Sequence, residues 1–329
     1  MLEGKELILA TREFAREILS VSRRELAWTL LLLALAISGV FWGPLVIQIL
    51  GSIILGLGLV RLFVIYHDYA HNNIFRGKKL AKIFFTLVGL VMLAPMSIWK
   101  RSHDYHHKHN SKLYTSSIGS FPIITRSRYL SSSPKERFYY LFARHPLTIT
   151  FGYLFVFIFG MCIQSFVSNP RRHWDSLIAL ILHLFIGLTC YLLGGMKMLI
   201  LLQTLPLFIA FAIGSYLFYA QHNFPTATFA DKDGWTYVDA AMQSSSYMVM
   251  PKWMQWITAN IGFHHIHHLN ARIPFYRLPE VFNAFHELQS PKQTSLNPRQ
   301  ILACFKLKVW DPQNHRMITA SEMNQQHSI

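Results

Sequence analysis

The chain has 329 residues, 52% of them hydrophobic and only 14% charged, against roughly 25% charged in an ordinary soluble domain. That deficit excludes a plain cytosolic globule. Lys and Arg outnumber Asp and Glu by 31 to 16, but the cations flank apolar runs instead of forming separate arms, which fits an anionic membrane surface and speaks against nucleic acid as a partner. Cys162, Cys190 and Cys304 are too few and too far apart for a disulfide scaffold or a thiolate metal site, and read as buried small residues. The unusual number is 17 histidines, most of them clustered.

In chain order, residues 1–25 read as one amphipathic helix lying on lipid, with Leu7, Ile8, Phe14, Ile18 and Leu19 on one side and Lys5, Arg12, Arg16 and Arg24 near the other. No short apolar core with a small-residue cleavage site follows, so no removable signal peptide is expected. The apolar stretch from about Ala27 to Tyr66 is long enough for two spans, broken at Gly43-Pro44. Further apolar segments cover 81–98, 149–168, 176–194 and 197–219. Histidine clusters lie at 67–71, 103–107, 222 and 264–268. If they build one site, an even number of crossings must separate them. Residues 81–98, which contain Pro95, therefore lie in the interface or re-enter, and so do 149–168, because Arg171 and Arg172 belong on the cytoplasmic side. Four spans remain: 26–42, 45–66, 176–194 and 197–219. Arg23, Arg24, Lys78, Lys79, Lys100 and Arg101 then all face the cytoplasm. His183 reads as the one ionisable residue well inside a span, with Lys197 peripheral.

The expected fold is an all-α integral membrane protein, with four transmembrane helices, interfacial or re-entrant helices and a cytoplasmic helical cap holding a His-rich di-metal site. Residues 1–329 form one unit: an N-terminal helix (1–25), a hairpin (26–66), the first two His clusters with cap (67–148), an interfacial segment and second hairpin (149–222), and the third cluster with C-terminal cap (223–329). The polar end after Pro312 is expected to be mobile.

His67 and His71, four residues apart, share one face of a helix. His103, His106 and His107 offer rings at i, i+3 and i+4, and His264, His267 and His268 repeat that spacing; His222 stands alone after the last span. One His-x-x-His-His pattern is expected by chance in roughly 4% of chains of this length, so two of them, beside a third pair, call for a common cause. Nine such rings repel one another when protonated and make sense around a cation. Imidazole without thiolate suits Fe, Zn, Cu or Ni, and nine ligands exceed one centre, so two metals are the economical reading. The site sits where apolar spans end, so its substrate should be lipid-like; redox-active iron with oxygen can attack an unactivated acyl C–H bond, whereas hydrolytic zinc needs a cleavable bond. Asp68 and Asp104 each follow a ligand, and either orients an imidazole or serves as a capping or salt-bridging carboxylate. His109 and His265 fall off the spacing and read as non-ligands.

Together these boxes resemble the membrane fatty acid desaturase family, over roughly residues 60–280. His67 and His71 match its first box, His103, His106 and His107 its second, His264, His267 and His268 its third, and His222 in Gln221-His222-Asn223 its extra ligand. The run Ala271-Arg272-Ile273-Pro274-Phe275-Tyr276-Arg277-Leu278 is similar to the acyl-lipid, methyl-end (omega-6 or delta-12) branch, here in its bacterial form. The resemblance implies two iron ions, oxygen as oxidant, a fatty acyl lipid as substrate, insertion of a cis double bond, and a bacterial inner-membrane location with the site on the cytoplasmic side. Three residues, not four, separate the rings of the first box, which argues against acyl-CoA. No His-Pro-Gly-Gly haem motif is present, so electrons should come from a separate ferredoxin or similar donor.

On this reading the acyl chain lies in a narrow apolar tunnel, for which Trp99, Phe121, Trp235, Tyr237, Trp253 and Trp256 are candidates, an interface belt being the competing role for them. Lys100, Arg101 or Arg272 would meet a lipid phosphate or the donor's acidic surface, or supply ordinary positive-inside charge. Hydroxylases and carotenoid ketolases use the same boxes and are the alternative within enzymes. A membrane haem or metal-binding protein is the distant non-enzyme alternative.

Overall fold

The computed structural model describes residues 2, 4–115 and 121–325; positions 1, 3, 116–120 and 326–329, which fall within the expected N-terminal helix, first cap segment and C-terminal cap, lie outside the described residues. Helix α1 (Gly4–Ala10) runs into a 3-10 turn (Thr11–Ala15), after which Arg16 and Ile18 are extended. This corrects the single N-terminal helix. Leu7 and Phe14 are buried with Leu269, Ile273 and Val281, so the apolar face that would lie on lipid packs against the protein, and the chain must straighten to leave it. The first long helix, α2 (Leu19–Trp42), therefore starts seven residues earlier than expected.

After the break at Gly43-Pro44 comes α3 (Leu45–Ala70), the most enclosed of the long apolar helices: 67% of its apolar window is buried, against 22% for α2. Its last turn carries His67, and His71 caps its C-terminal end. Arg61 on α3 is also buried, which corrects the reading of His183 as the one ionisable residue in a span. Its guanidinium pairs with Glu25 on α2 at 2.7 Å, donates to Thr29 and to the carbonyl of Trp256, and lies 4.0 Å from the Trp256 ring centroid. A buried Arg is tolerable only with such partners, and Glu25 is 36 residues away in sequence.

Helices α4 (Lys79–Val91) and α5 (Met96–Lys108) meet at a bend of 89°. Leu93 (φ +49°) and Pro95 make the corner, and the Tyr66 hydroxyl donates to the Ala94 carbonyl there. Short helices α6 (Arg126–Ser131), α7 (Pro134–Ala143) and α8 (Pro146–Thr150) follow, then a π-helical stretch (Tyr153–Gln164) continued by α9 (Ser165–Ser168). Even at an α-helical rise, Tyr153–Ser168 reaches only about 24 Å, short of a hydrocarbon core of about 30 Å.

Helix α10 (Trp174–Leu199) continues through a short π-helical turn (Ile200–Thr204) into α11 (Leu205–Ala220). At 1.5 Å per residue this apolar stretch would extend about 70 Å if straight, but Gly194 and Gly195 leave helical geometry, Gly195 at φ +68°. The two arms fold back on each other, and the Gln203 amide donates to the His183 carbonyl at 2.8 Å. Among the described residues, three apolar stretches can by length and composition cross a membrane, or four if the bent α4–α5 pair is one span.

The remainder is mostly short helices: α12 (Tyr237–Ser244), α13 (Lys252–Ile257), α14 (His264–Leu269), α15 (Leu278–Ala284), α16 (Pro298–Lys306) and α17 (Ala320–Gln325). Two small sheets depart from the all-α expectation. Strand β1 (Tyr247–Val249) pairs in parallel with β2 (Gln293–Ser295), and β3 (Leu307–Asp311) pairs antiparallel with β4 (Arg316–Thr319). The β3–β4 hairpin also corrects the mobile end after Pro312 as far as residue 325: Asp311 caps the turn through Gln313 and Asn314, and Val309, Ile318 and Met323 are buried with Tyr129. Cys162, Cys190 and Cys304 are free and buried, as their spacing implied.

Candidate metal centre

All nine candidate histidines come together, in two sets. His67, His71, His103, His107 and His267 form one; His106, His222, His264 and His268 form the other. Within each set one nitrogen per ring lies within 4.8 Å of all its counterparts. Helix periodicity sorts them. On α5, His103 and His107 are one turn apart and face the first set, while His106 is rotated toward the second. On α14, His264 and His268 face the second set and His267 the first. Helices α5 and α14 thus each serve both sets, and α3 and the turn after α11 complete them separately.

The ring orientations test whether this arrangement fits metal ions. Six Nε2 to Nε2 contacts, from 2.8 to 3.2 Å, link the rings within the sets. At His67 and His222 the other nitrogen meets a group that only accepts: Asp68 Oδ1 lies 3.2 Å from His67 Nδ1, and the Ser244 carbonyl 3.0 Å from His222 Nδ1. Both partners hold the proton on Nδ1 and leave the Nε2 lone pair pointing inward. Lone pairs facing lone pairs at such distances repel unless a cation lies among them. Burial pushes His222 down to about 4, against the opposing pull of the Ser244 carbonyl. Burial first, then the neighbouring imidazoles, pushes His264, His267 and His268 down as well. Neutral rings with inward lone pairs are the state that binds a metal, and the residues present fit two such ions.

The two carboxylates separate. Asp68 orients His67 with one oxygen and accepts from the Phe275 backbone N–H at 2.7 Å with the other, tying the first box to the chain beyond the third. Asp104 instead pairs with Lys100 at 2.8 Å. His265 is buried but donates to the Leu288 carbonyl at 3.2 Å, outside both sets, as its spacing implied. The His109 ring turns back on its own helix, to the Tyr105 carbonyl at 3.0 Å, and joins neither set.

A narrow apolar cavity reaches both sets, touching His67 in one and His264 in the other. Its walls include Phe63, Phe157, Phe211 and Phe218. None of the six aromatics proposed for a tunnel lines it. Trp99 stacks on His103 at 4.9 Å and Phe121 packs on Tyr219. Trp235 and Tyr237 donate to the carbonyls of Asn110 and His268. Trp256 sits at Arg61, and Trp253 is exposed. The phenylalanines that do line it sit in segments apolar on every face, so sequence periodicity gave no sign of which side is the cavity.

The model of the fatty acid desaturase family matches residues 42–299. A fatty acid desaturase of Bacillus subtilis (strain 168) is 30% identical, over 79% of this chain and 74% of its own length. An sn-1 oleoyl-lipid 12-desaturase of Anabaena variabilis is 24% identical over 83% of this chain and 79% of its own. An sn-1 acyl-lipid omega-3 desaturase (ferredoxin) of Nostoc sp. (strain 36) is 25% identical over 71% of this chain and 68% of its own. With its imidazole sets joined by an apolar cavity and the family pattern covering most of its length, the chain belongs to the fatty acid desaturase family.

Proposed function

We propose that this oxidoreductase inserts a cis double bond into the acyl chain of a membrane lipid, using oxygen, two iron ions held by the nine histidines, and electrons from a separate ferredoxin-type donor. The observation that carries this reading is the apolar cavity that touches one ring of each set. Iron, when bound, supplies the oxidising chemistry that an unactivated C–H bond requires. The protein's part is position and exclusion. Asp68 and the Ser244 carbonyl fix ring tautomers, while Phe63 and Phe218 near the rings, and the stacked pair Phe157 and Phe211 (3.9 Å) farther off, keep water from the acyl chain and hold one C–C bond against the centre.

The chain sits in the bacterial inner membrane with four crossings, one in each arm of the hairpins α2–α3 and α10–α11, and with the histidines on the cytoplasmic side. Arg23, Arg24, Lys78 and Lys79 on that side satisfy the positive-inside rule, and the 89° bend between α4 and α5 suits a segment that enters and returns. The test is gas chromatography with mass spectrometry of lipids from an expressing host. A new double bond is expected; an added hydroxyl in its place overturns the desaturase reading. Metal analysis should approach two irons per chain, and a clean zinc stoichiometry would contradict the redox chemistry.

A further inference from the structure

The five-ring set has a second approach, distinct in its lining from the apolar cavity. An open cleft of about 1030 Å3 has His71 and His107 of the five-ring set in its lining. Arg12, Arg16, Arg76, Lys108 and Arg272 line it as well. All five cations are exposed, and among the described residues none has an acidic ion-pair partner. The one acidic lining residue, Asp104, is held by Lys100. Five unpaired cations around one opening make a focused positive potential.

We propose that this cleft is the docking surface for a small acidic one-electron carrier protein, and that the N-terminal strap, residues 4–16, supplies part of its lining. Arg12 and Arg16 lie outside the 42–299 stretch that the family pattern covers. They are nonetheless fixed in place. Asn270 donates to the Thr11 hydroxyl at 3.0 Å, Arg277 donates to the Glu13 carbonyl at 3.1 Å, and Glu17 accepts from the Phe75 N–H at 2.8 Å. Leu7 and Phe14 are buried beneath. A strap held this way presents charge without the cost of ordering it on binding.

The inference rests on the desaturase reading, whose chemistry requires the partner. Forming one double bond turns CH2–CH2, O2, two electrons and two protons into CH=CH and two waters. The two electrons come from outside, so a one-electron carrier docks twice per turnover and has to leave quickly. Electrostatic steering gives fast, salt-sensitive association of that kind. The relative from Nostoc has ferredoxin in its name. A phospholipid fits the cleft less well: its lining offers only Ile8 and Leu269 as large aliphatic side chains, too little to seat two acyl chains.

The experiment uses the metal-loaded full chain in nanodiscs of neutral phosphatidylcholine, with an acidic [2Fe–2S] ferredoxin as probe and a basic c-type cytochrome as control. Binding is followed by biolayer interferometry across a salt series. Ferredoxin affinity is expected to fall steeply with salt, and R12E/R16E to weaken it on the order of tenfold or more, with melting temperature and metal content unchanged. R76E/R272E, in the lining outside the strap, should do the same and keeps the test open if the strap variant fails to fold. Ferredoxin affinity within about twofold of the parent in a folded pair overturns the proposal, as does loss of binding to phosphatidylglycerol vesicles with ferredoxin binding intact. Lipid profiling of the same parent chain is the separate check: new double bonds with unaltered docking sink the inference alone, whereas no new product in lipids sinks the function.

Discussion

The five-ring set and the four-ring set differ in surroundings as much as in number. The five-ring set draws His67 and His71 from the end of the buried helix α3, has a carboxylate behind His67, and opens onto the cationic cleft through His71 and His107. The four-ring set takes His222 from a turn, has a neutral carbonyl behind it, and borders a pocket of mixed polarity with Asn110 and Tyr219. One set has a spare ring and an anionic support; the other has neither. The two ions should therefore differ in how firmly they are held, while both serve the cavity that His67 and His264 share.

The largest effects should come from removing rings. His264→Ala leaves three ligands and is expected to abolish turnover, more than about 100-fold, and to lower metal content from two toward one. His71→Ala leaves four and should lose as much activity while keeping more of its metal; equal metal loss in both variants would break the asymmetry. Gly214→Leu addresses what the sets share. A side chain there meets nothing within 4 Å and grows into the cavity, so turnover on long chains should drop on the order of 100-fold with both metals retained. Metal loss would mean that residue 214 supports the rings themselves.

Asp68→Asn removes the charge behind His67 and is expected to weaken metal binding in the five-ring set by about 10- to 100-fold, visible as one early phase in a chelator titration. A uniform shift of both phases would contradict the two-set picture. Acid should act on the metal-stripped protein. His222 and His265 are held by burial at about 4, below the unfolded value near 6.5. The unfolded chain binds more protons between those values, so stability is full above about pH 6.5 and is lost as pH falls toward 4. Melting temperatures at pH 7.5, 6 and 5 check this, and a rise on acidification would refute it. The smallest effect is expected for His265→Ala: two metals retained, and a stability loss of about 1–3 kcal/mol for the orphaned Leu288 carbonyl, read by thermal melts.

Much of the site was legible because metal chemistry leaves a local mark. Rings one helical turn apart can share an ion, so the i, i+3 and i+4 spacings singled out eight positions and the family resemblance added His222, and those nine side chains meet. Their division into five and four was not legible, since it depends on how α5 and α14 rotate against α3. The choice between Asp68 and Asp104 was equally closed: both follow a histidine, but only Asp68 has the Phe275 N–H to hold it in place. Arg61 was passed over because its partners, Glu25 and Trp256, are distant in sequence. The strap was misread because an apolar stripe looks the same whether lipid or protein covers it.

Composition and spacing by themselves determined that this chain lives with lipid, breaks its apolar runs at Gly43-Pro44 and Gly194-Gly195, and carries imidazoles in helical register. These are properties of residues a few positions apart, where backbone geometry leaves little freedom. Only the tertiary structure decided which ring joins which set, which phenylalanines enclose the cavity and which arginines surround the cleft. Each of those depends on side chains meeting across tens to hundreds of residues, and the packing of whole helices selects the pairs that meet.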